Sequence, residues 1–141
     1  LIAGDGPLRA KLEEQARASG ADVRFLGLQI EPGPFYTLAD VVVLPSAMEA
    51  LPMTLIEAAA YGKPVVASAV GGILEVVRDG ETGFLTPPGD VPQLRRALER
   101  CKDPELRATL GRQAQTRWQT HFSLARFSEK LVAVYREVLD A

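Results

Sequence analysis

Residues 41–68 read VVVLPSAMEALPMTLIEAAAYGKPVVAS, and the hydrophobic period changes twice along them. Residues 41–44 are an unbroken apolar run of strand length, rich in β-branched side chains. Residues 52–61 carry apolar groups at helical spacing, and 65–67 return to a short β-branched run. An apolar strand, a helix and a second apolar strand make a βαβ unit, with parallel strands covered on both faces. Glu49 and Glu57 fall on either side of the predicted helix start, with seven residues between them.

The same alternation runs outward from this unit. Further strands are predicted at 1–3, 23–26 and 83–86, and helices at 7–19, 34–39 and 72–78. Three helices close the chain at about 91–101, 104–119 and 124–139, with Asp90, Asp103 and Ser123 as N-caps. In the first of these, Leu94, Ala97, Leu98 and Cys101 recur at i, i+3, i+4 and i+7, which requires a buried face. Leu131, Val134, Tyr135 and Val138 repeat that pattern in the last. The fold class is α/β with a parallel sheet. A strand that opens at Leu1 leaves a doubly wound sheet without its first βα unit, so 1–141 is expected to be a single domain cut from a longer polypeptide.

Composition narrows the class of function. A chain of 141 residues, 47% of them hydrophobic, has enough apolar surface to enclose one core. No apolar run approaches the ~20 residues of a membrane span, and no basic segment followed by an apolar one opens the chain, so a cytoplasmic protein is expected. Cys101 is the sole cysteine and reads as an inert, partly buried thiol rather than a disulfide or metal ligand. Net charge is −2, unevenly placed: residues 1–89 hold 6 basic and 11 acidic side chains, and residues 90–141 hold 10 and 7. The positive excess is spread over three helices with acids interspersed, which is too dilute for a nucleic-acid groove. It reads as a solvated surface, with peripheral contact to an anionic inner membrane face as the lesser alternative.

In open parallel sheets ligands sit beyond the carboxyl ends of the strands, which directs attention to the turns there. Gly4-Asp5-Gly6-Pro7 follows the first strand as a dinucleotide fingerprint would, but Arg9 stands at its third glycine. A tight turn with Pro7 at the first helical position is the simpler account. Gly27 ends the second strand, and the backbone at Leu28 and Gln29 is a candidate wall for a base pocket. The third turn is the most informative. Its helix has no Ser, Thr, Asp or Asn at the cap, so the amides after Ala50 and Leu51 lack a local acceptor. An anion would satisfy them, and the positive end of the helix dipole suits a diphosphate. Glu57 lies about five residues into the helix, ~7–8 Å along its axis at 1.5 Å per residue. That is comparable to the reach from a sugar to a ribose across two phosphates, with Glu49 accepting from hexose hydroxyls and Glu57 from the ribose. The alternative at this point is that Glu49 only complements the dipole and Glu57 is a solvated or capping residue.

Linked motifs in a fixed order cover nearly the whole chain: Leu1-Ile2-Ala3-Gly4-Asp5-Gly6-Pro7, Val23-Arg24-Phe25-Leu26-Gly27, and Ala39-Asp40-Val41 through Leu44-Pro45-Ser46. They continue through Glu49, Glu57-Ala58-Ala59-Ala60, Gly62-Lys63-Pro64-Val65-Val66-Ala67, Gly71-Gly72, Glu75-Val76-Val77 and Asp79-Gly80-Glu81-Thr82-Gly83-Phe84-Leu85. In these the sequence resembles the second, donor-binding domain of family 4 (group 1) glycosyltransferases. The resemblance implies a Rossmann-like three-layer domain, one half of a GT-B architecture. It implies transfer of a sugar from a nucleotide diphosphate sugar to an acceptor hydroxyl with retention of configuration, without a bound metal or other cofactor. Glu49 would then contact the donor sugar near the reacting centre as the catalytic residue, and Glu57 would bind the ribose. Ala50, Leu51, Pro52, Met53 and Thr54 would line the sugar and diphosphate, and Leu28 would face the base.

The sequence departs from the family pattern in several places. Ala50 and Pro52 stand where the family commonly has glycine, Leu74 where proline is frequent, and Glu31-Pro32-Gly33-Pro34 reads as a locally stiffened loop. The family's upstream basic loop and its acceptor-binding first domain have no counterpart in these residues. This fragment is therefore expected to be inactive alone, and its acceptor (lipid, polysaccharide or small glycoside) is not readable. His121 reads as a surface residue and Lys63 as a C-terminal dipole partner rather than a phosphate ligand. Three other functions fit less well: a GT-B sugar-nucleotide epimerase, a non-catalytic interaction domain, and a receiver domain, which would need a cluster of acids after the first strand.

Overall fold

The computed structural model describes residues 1–140. Its contacts divide the chain into two compact units, Leu1–Pro34 and Phe35–Ala141. In the first, β1 (Ile2–Ala3) and β2 (Phe25–Gly27) pair in parallel around α1 (Arg9–Ser19). The turn after β1 is closed locally: Gly4 takes φ +117°, and the Asp5 carboxylate accepts from the Gly6 amide at 2.8 Å. The helix begins at Arg9, so Pro7 lies ahead of its first turn rather than at the first helical position. Arg9, where a dinucleotide fingerprint would have glycine, instead pairs with Asp5 at 3.2 Å and Glu13 at 2.8 Å.

The division falls within α2 (Gly33–Leu38), which takes in the last two residues of the Glu31-Pro32-Gly33-Pro34 stretch expected to be loop. The second unit then alternates β3 (Val42–Leu44), α3 (Met53–Ala60), β4 (Val65–Ser68), α4 (Ile73–Val76) and β5 (Gly83–Thr86). Its strands form a parallel sheet of order β3-β4-β5, with Val42 opposite Val65 and Leu44 opposite Ala67. The chain therefore carries two parallel sheets where the alternation suggested one.

Every residue of the central strand β4 is buried, and its side chains point alternately to two cores. Val65 and Ala67 join Leu55, Ile56, Ala58, Ile73 and Val76 on one face. Val66 joins Phe84, Ala97, Cys101 and Leu110 on the other. Helix, sheet and helix form three layers, as in a Rossmann-like domain, with α5 (Val91–Arg100) and α6 (Pro104–Arg117) making the second helical layer. Close packing between layers relies on glycine: a Cβ on Gly111 of α6 would sit 2.1 Å from the Gly62 carbonyl oxygen.

The helix ends follow their caps. Asp90, Asp103 and Ser123 each accept from amides in the first turn, at Gln93, at Glu105 and Leu106, and at Arg126. After α3, Gly62 turns left-handed at φ +64°, its amide bonds the Ala59 carbonyl and that of Lys63 bonds Ala58. Two ends fall short of the expected ones. Arg117 donates to the carbonyls of Glu75 and Val76 and closes α4 there, two residues early. Helix α6 gives way at Trp118 to a wider π-type turn (Trp118–Phe122), closed by the Ser123 amide on the Trp118 carbonyl, and both aromatic rings pack on the first core. The last helix, α7 (Leu124–Leu139), has no buried residue. Leu131, Val134, Tyr135 and Val138 are exposed, so the burial expected from their spacing is not met by any described part of the chain.

Candidate functional site

Because β3 and β4 are parallel and in register, their carboxyl ends lie side by side, and the loops 45–52 and 69–72 leave from one edge of the sheet. These loops are clasped. The Gly72 amide donates to the Glu49 carbonyl at 3.1 Å. A Cβ on Gly71 would stand 1.9 Å from the Glu49 carbonyl oxygen, and one on Gly72 1.8 Å from that of Ala50. No side chain fits either position, and Gly71 also takes φ +46°, a left-handed conformation. The backbone that presents Glu49 is thus held from the neighbouring strand's loop. The Glu49 side chain is half-buried, and its carboxylate has no hydrogen-bond or ion-pair partner among the described residues.

Helix α3 starts without a side-chain cap, as the sequence predicts. Its N-cap is Pro52, whose carbonyl receives the Leu55 and Ile56 amides at 3.0 and 3.2 Å. Beyond Ala50 and Leu51, Pro52 has no N–H, and the Met53 and Thr54 amides that follow have no acceptor among the described residues. Pro52 itself is buried, whereas Ala50, Leu51, Met53 and Thr54 are exposed along the loop and first turn.

Glu57 follows one turn into α3 and does not stand free. The Tyr36 hydroxyl donates to its Oε2 at 2.8 Å, from a ring that is 8% exposed and stacked on Tyr61 at a centroid distance of 5.5 Å. Burial, and then the hydrogen bond to Glu57, holds the Tyr36 pKa far above its ordinary value of 10.0, so the phenol stays a donor. The other carboxylate oxygen, Oε1, has no partner among the described residues.

The remaining candidates lie elsewhere. Leu28 is in the first unit, exposed, and next to Gln29, whose amide folds back onto the Leu26 carbonyl at 2.7 Å. His121 is exposed in the π-type turn, against the Thr120 hydroxyl at 2.7 Å. Lys63 is a helix C-terminal partner, but of α2: its ammonium donates to the Thr37 carbonyl at 3.0 Å. Among the described residues no three His, Cys, Asp or Glu side chains gather as metal ligands, and no helix is long and apolar enough to cross a membrane.

Two features escape sequence reasoning. Tyr36 looks like a core aromatic of a short helix, and at 21 residues from Glu57 no helical or strand period links them. Gly71 and Gly72 are visible as a motif, but their role as the clasp on Glu49 depends on which loop lies beside them.

Known proteins resemble this chain in sequence and in fold. A sequence model of the family described as Glycosyl transferases group 1 matches residues 1–103. The chain is 35% identical over 144 residues to alpha-D-kanosaminyltransferase of Streptomyces kanamyceticus, covering 98% of this chain and 37% of that protein. It is 34% identical over 147 residues to D-inositol 3-phosphate glycosyltransferase of Acidothermus cellulolyticus, covering 99% and 33%. It superposes with a TM-score of 0.89 on Anabaena HepE, solved in complex with UDP, at 28% identity over 96% of this chain and 40% of that one. The same Anabaena protein has been solved with UDP-glucose. The chain spans roughly a third of the length of the curated relatives it matches. On the family match over residues 1–103 and the identity to these relatives along nearly its whole length, the chain belongs to the group 1 glycosyltransferases.

Proposed function

We propose that this chain is the donor-binding part of a retaining, family 4 glycosyltransferase of GT-B architecture, which takes a sugar from a nucleotide diphosphate sugar and passes it to an acceptor hydroxyl. One observation carries the reading. The loops after β3 and β4 clasp each other at the carboxyl edge of the sheet, presenting an unpartnered Glu49 carboxylate beside a helix start with unsatisfied amides. The relative solved with UDP and UDP-glucose supports a uridine diphosphate sugar as the donor.

In this reading the Met53 and Thr54 amides and the dipole of α3 receive the diphosphate and stabilise the charge that develops on it as the glycosidic bond breaks. Glu49 orients the sugar near the reacting carbon, and Glu57 accepts from ribose hydroxyls one turn further along α3. Leu28 is assigned to the base on the family resemblance. The acceptor, and the group that takes the acceptor's proton, belong to parts of the protein outside these residues, and the fragment alone does not turn over.

The test is steady-state kinetics on the full-length protein with UDP-glucose and related donors. Glu57→Ala raises the donor KM, at least tenfold if one hydrogen bond to a charged group of about 1.5–3 kcal/mol is lost. Glu49→Ala lowers kcat by on the order of a hundredfold, the loss expected when an oriented transition-state contact is removed. Unchanged constants in both variants would remove the assignment.

A further inference from the structure

Glu57 has two carboxylate oxygens and a side chain with three rotatable bonds, so receiving a ribose requires its orientation to be fixed. On a solvated helix face such a carboxylate samples several rotamers, and fixing it on binding costs side-chain entropy. The structure shows what prevents this. The Tyr36 hydroxyl has a single proton and directs it to Oε2 of Glu57 at 2.8 Å. Tyr36 is itself packed on several sides: its ring is 8% exposed, belongs to the first core with Leu55 and Ile56, and stacks on Tyr61.

We propose that Tyr36 is a positioning residue for the donor: by holding Oε2 of Glu57 it fixes the orientation of the carboxylate, with Oε1 unpartnered and aligned in advance for the ribose. Tyr36 touches no substrate. Its effect passes through Glu57, and the inference rests on Glu57 being the ribose acceptor.

A double-mutant cycle separates the two claims. UDP binding to the full-length protein is measured by titration calorimetry for wild type, Tyr36→Phe, Glu57→Ala and the double variant, with thermal unfolding as a control on the fold. We expect Tyr36→Phe to weaken UDP about tenfold, the worth of a hydrogen bond to a charged group. In the Glu57→Ala background the same change is expected to have no further effect. In turnover, the Tyr36→Phe loss falls on the donor KM and leaves kcat within about twofold. Wild-type affinity in Tyr36→Phe beside weakened binding in Glu57→Ala overturns the positioning role alone. Independent, multiplying losses also overturn it, because they assign Tyr36 a packing role. Wild-type UDP affinity in Glu57→Ala overturns the ribose assignment itself. Glu57→Gln, which keeps the side chain's shape, decides the matter if Tyr36→Phe does not fold. With Tyr36 holding the amide oxygen, the NH2 group is turned to the ribose and UDP weakens about as much as in Glu57→Ala, whereas wild-type affinity in Glu57→Gln overturns the positioning role.

Discussion

Glu57 lies within α3 and Cys101 caps the end of α5, and their surroundings give these two titratable residues opposite lives. Glu57 keeps one oxygen free at a loop-lined edge, whereas Cys101 is sealed between α5 and the sheet at 3% exposure. Burial raises the Cys101 thiol pKa above its ordinary 9.0, against the opposing pull of Arg107 and Arg100. The folded chain therefore holds this proton more tightly than the unfolded chain does. The stability it contributes is full below pH 9.0 and is lost as pH climbs toward the raised value. A thiol that is both enclosed and protonated is a poor nucleophile. Iodoacetamide at pH 8 is expected to label Cys101 in the native chain only as fast as the core opens, and rapidly in urea, with mass spectrometry as the readout. Labelling of the native chain at the rate of a free thiol would contradict this burial.

At the scale of elements, the site is made by two loops rather than by either helix. Loop 45–52 is long and carries Pro45 and Pro52 but has no internal hydrogen bond that fixes Glu49; the anchor comes from Gly72 across the strand gap. Gly72→Ala places a methyl group against the Ala50 carbonyl and must part the loops. It is expected to cost about 1–3 kcal/mol in chemical denaturation, as overpacking does. In the full-length protein it should also depress kcat more than a change of equal cost remote from the site. Gly80→Ala serves as the control, since open space surrounds its Cβ direction and only its φ of +75° opposes the change. Equal kinetics in the two variants would mean that the clasp does not position Glu49. The closing helices divide in the same way: α5 and α6 are bound to the sheet by buried Ala97, Leu110 and Ala114, whereas α7 is held at its start by Ser123 and shows its apolar stripe to solvent.

For the molecule as a whole, stability resides in the two cores around β4. Leu110→Ala, at 1% exposure, is expected to lower the unfolding free energy by about 2–5 kcal/mol, while Leu131→Ser on α7 of the 141-residue chain changes it by less than about 0.5 kcal/mol. Urea unfolding of both variants measures the contrast, and a comparable loss for Leu131→Ser would show that α7 is packed. Much of this architecture was legible in the residues alone. The β-branched runs marked β3 and β4, a short apolar run marked β5, and Asp90, Asp103 and Ser123 marked three helix starts, because strand burial and capping act between neighbours a few residues apart. The E-x7-E spacing and the missing cap at α3 were equally local, so the outline of the candidate site could be read before its geometry. What tertiary structure alone decided joins residues far apart in the chain: Gly71 and Gly72 against Glu49 and Ala50, and Tyr36 against Glu57. Such contacts leave no period in a sequence, since they depend on which loops the parallel register of β3 and β4 brings to one edge. The same limit applies to α7, where helical periodicity revealed an apolar face, but burial depends on what lies against it.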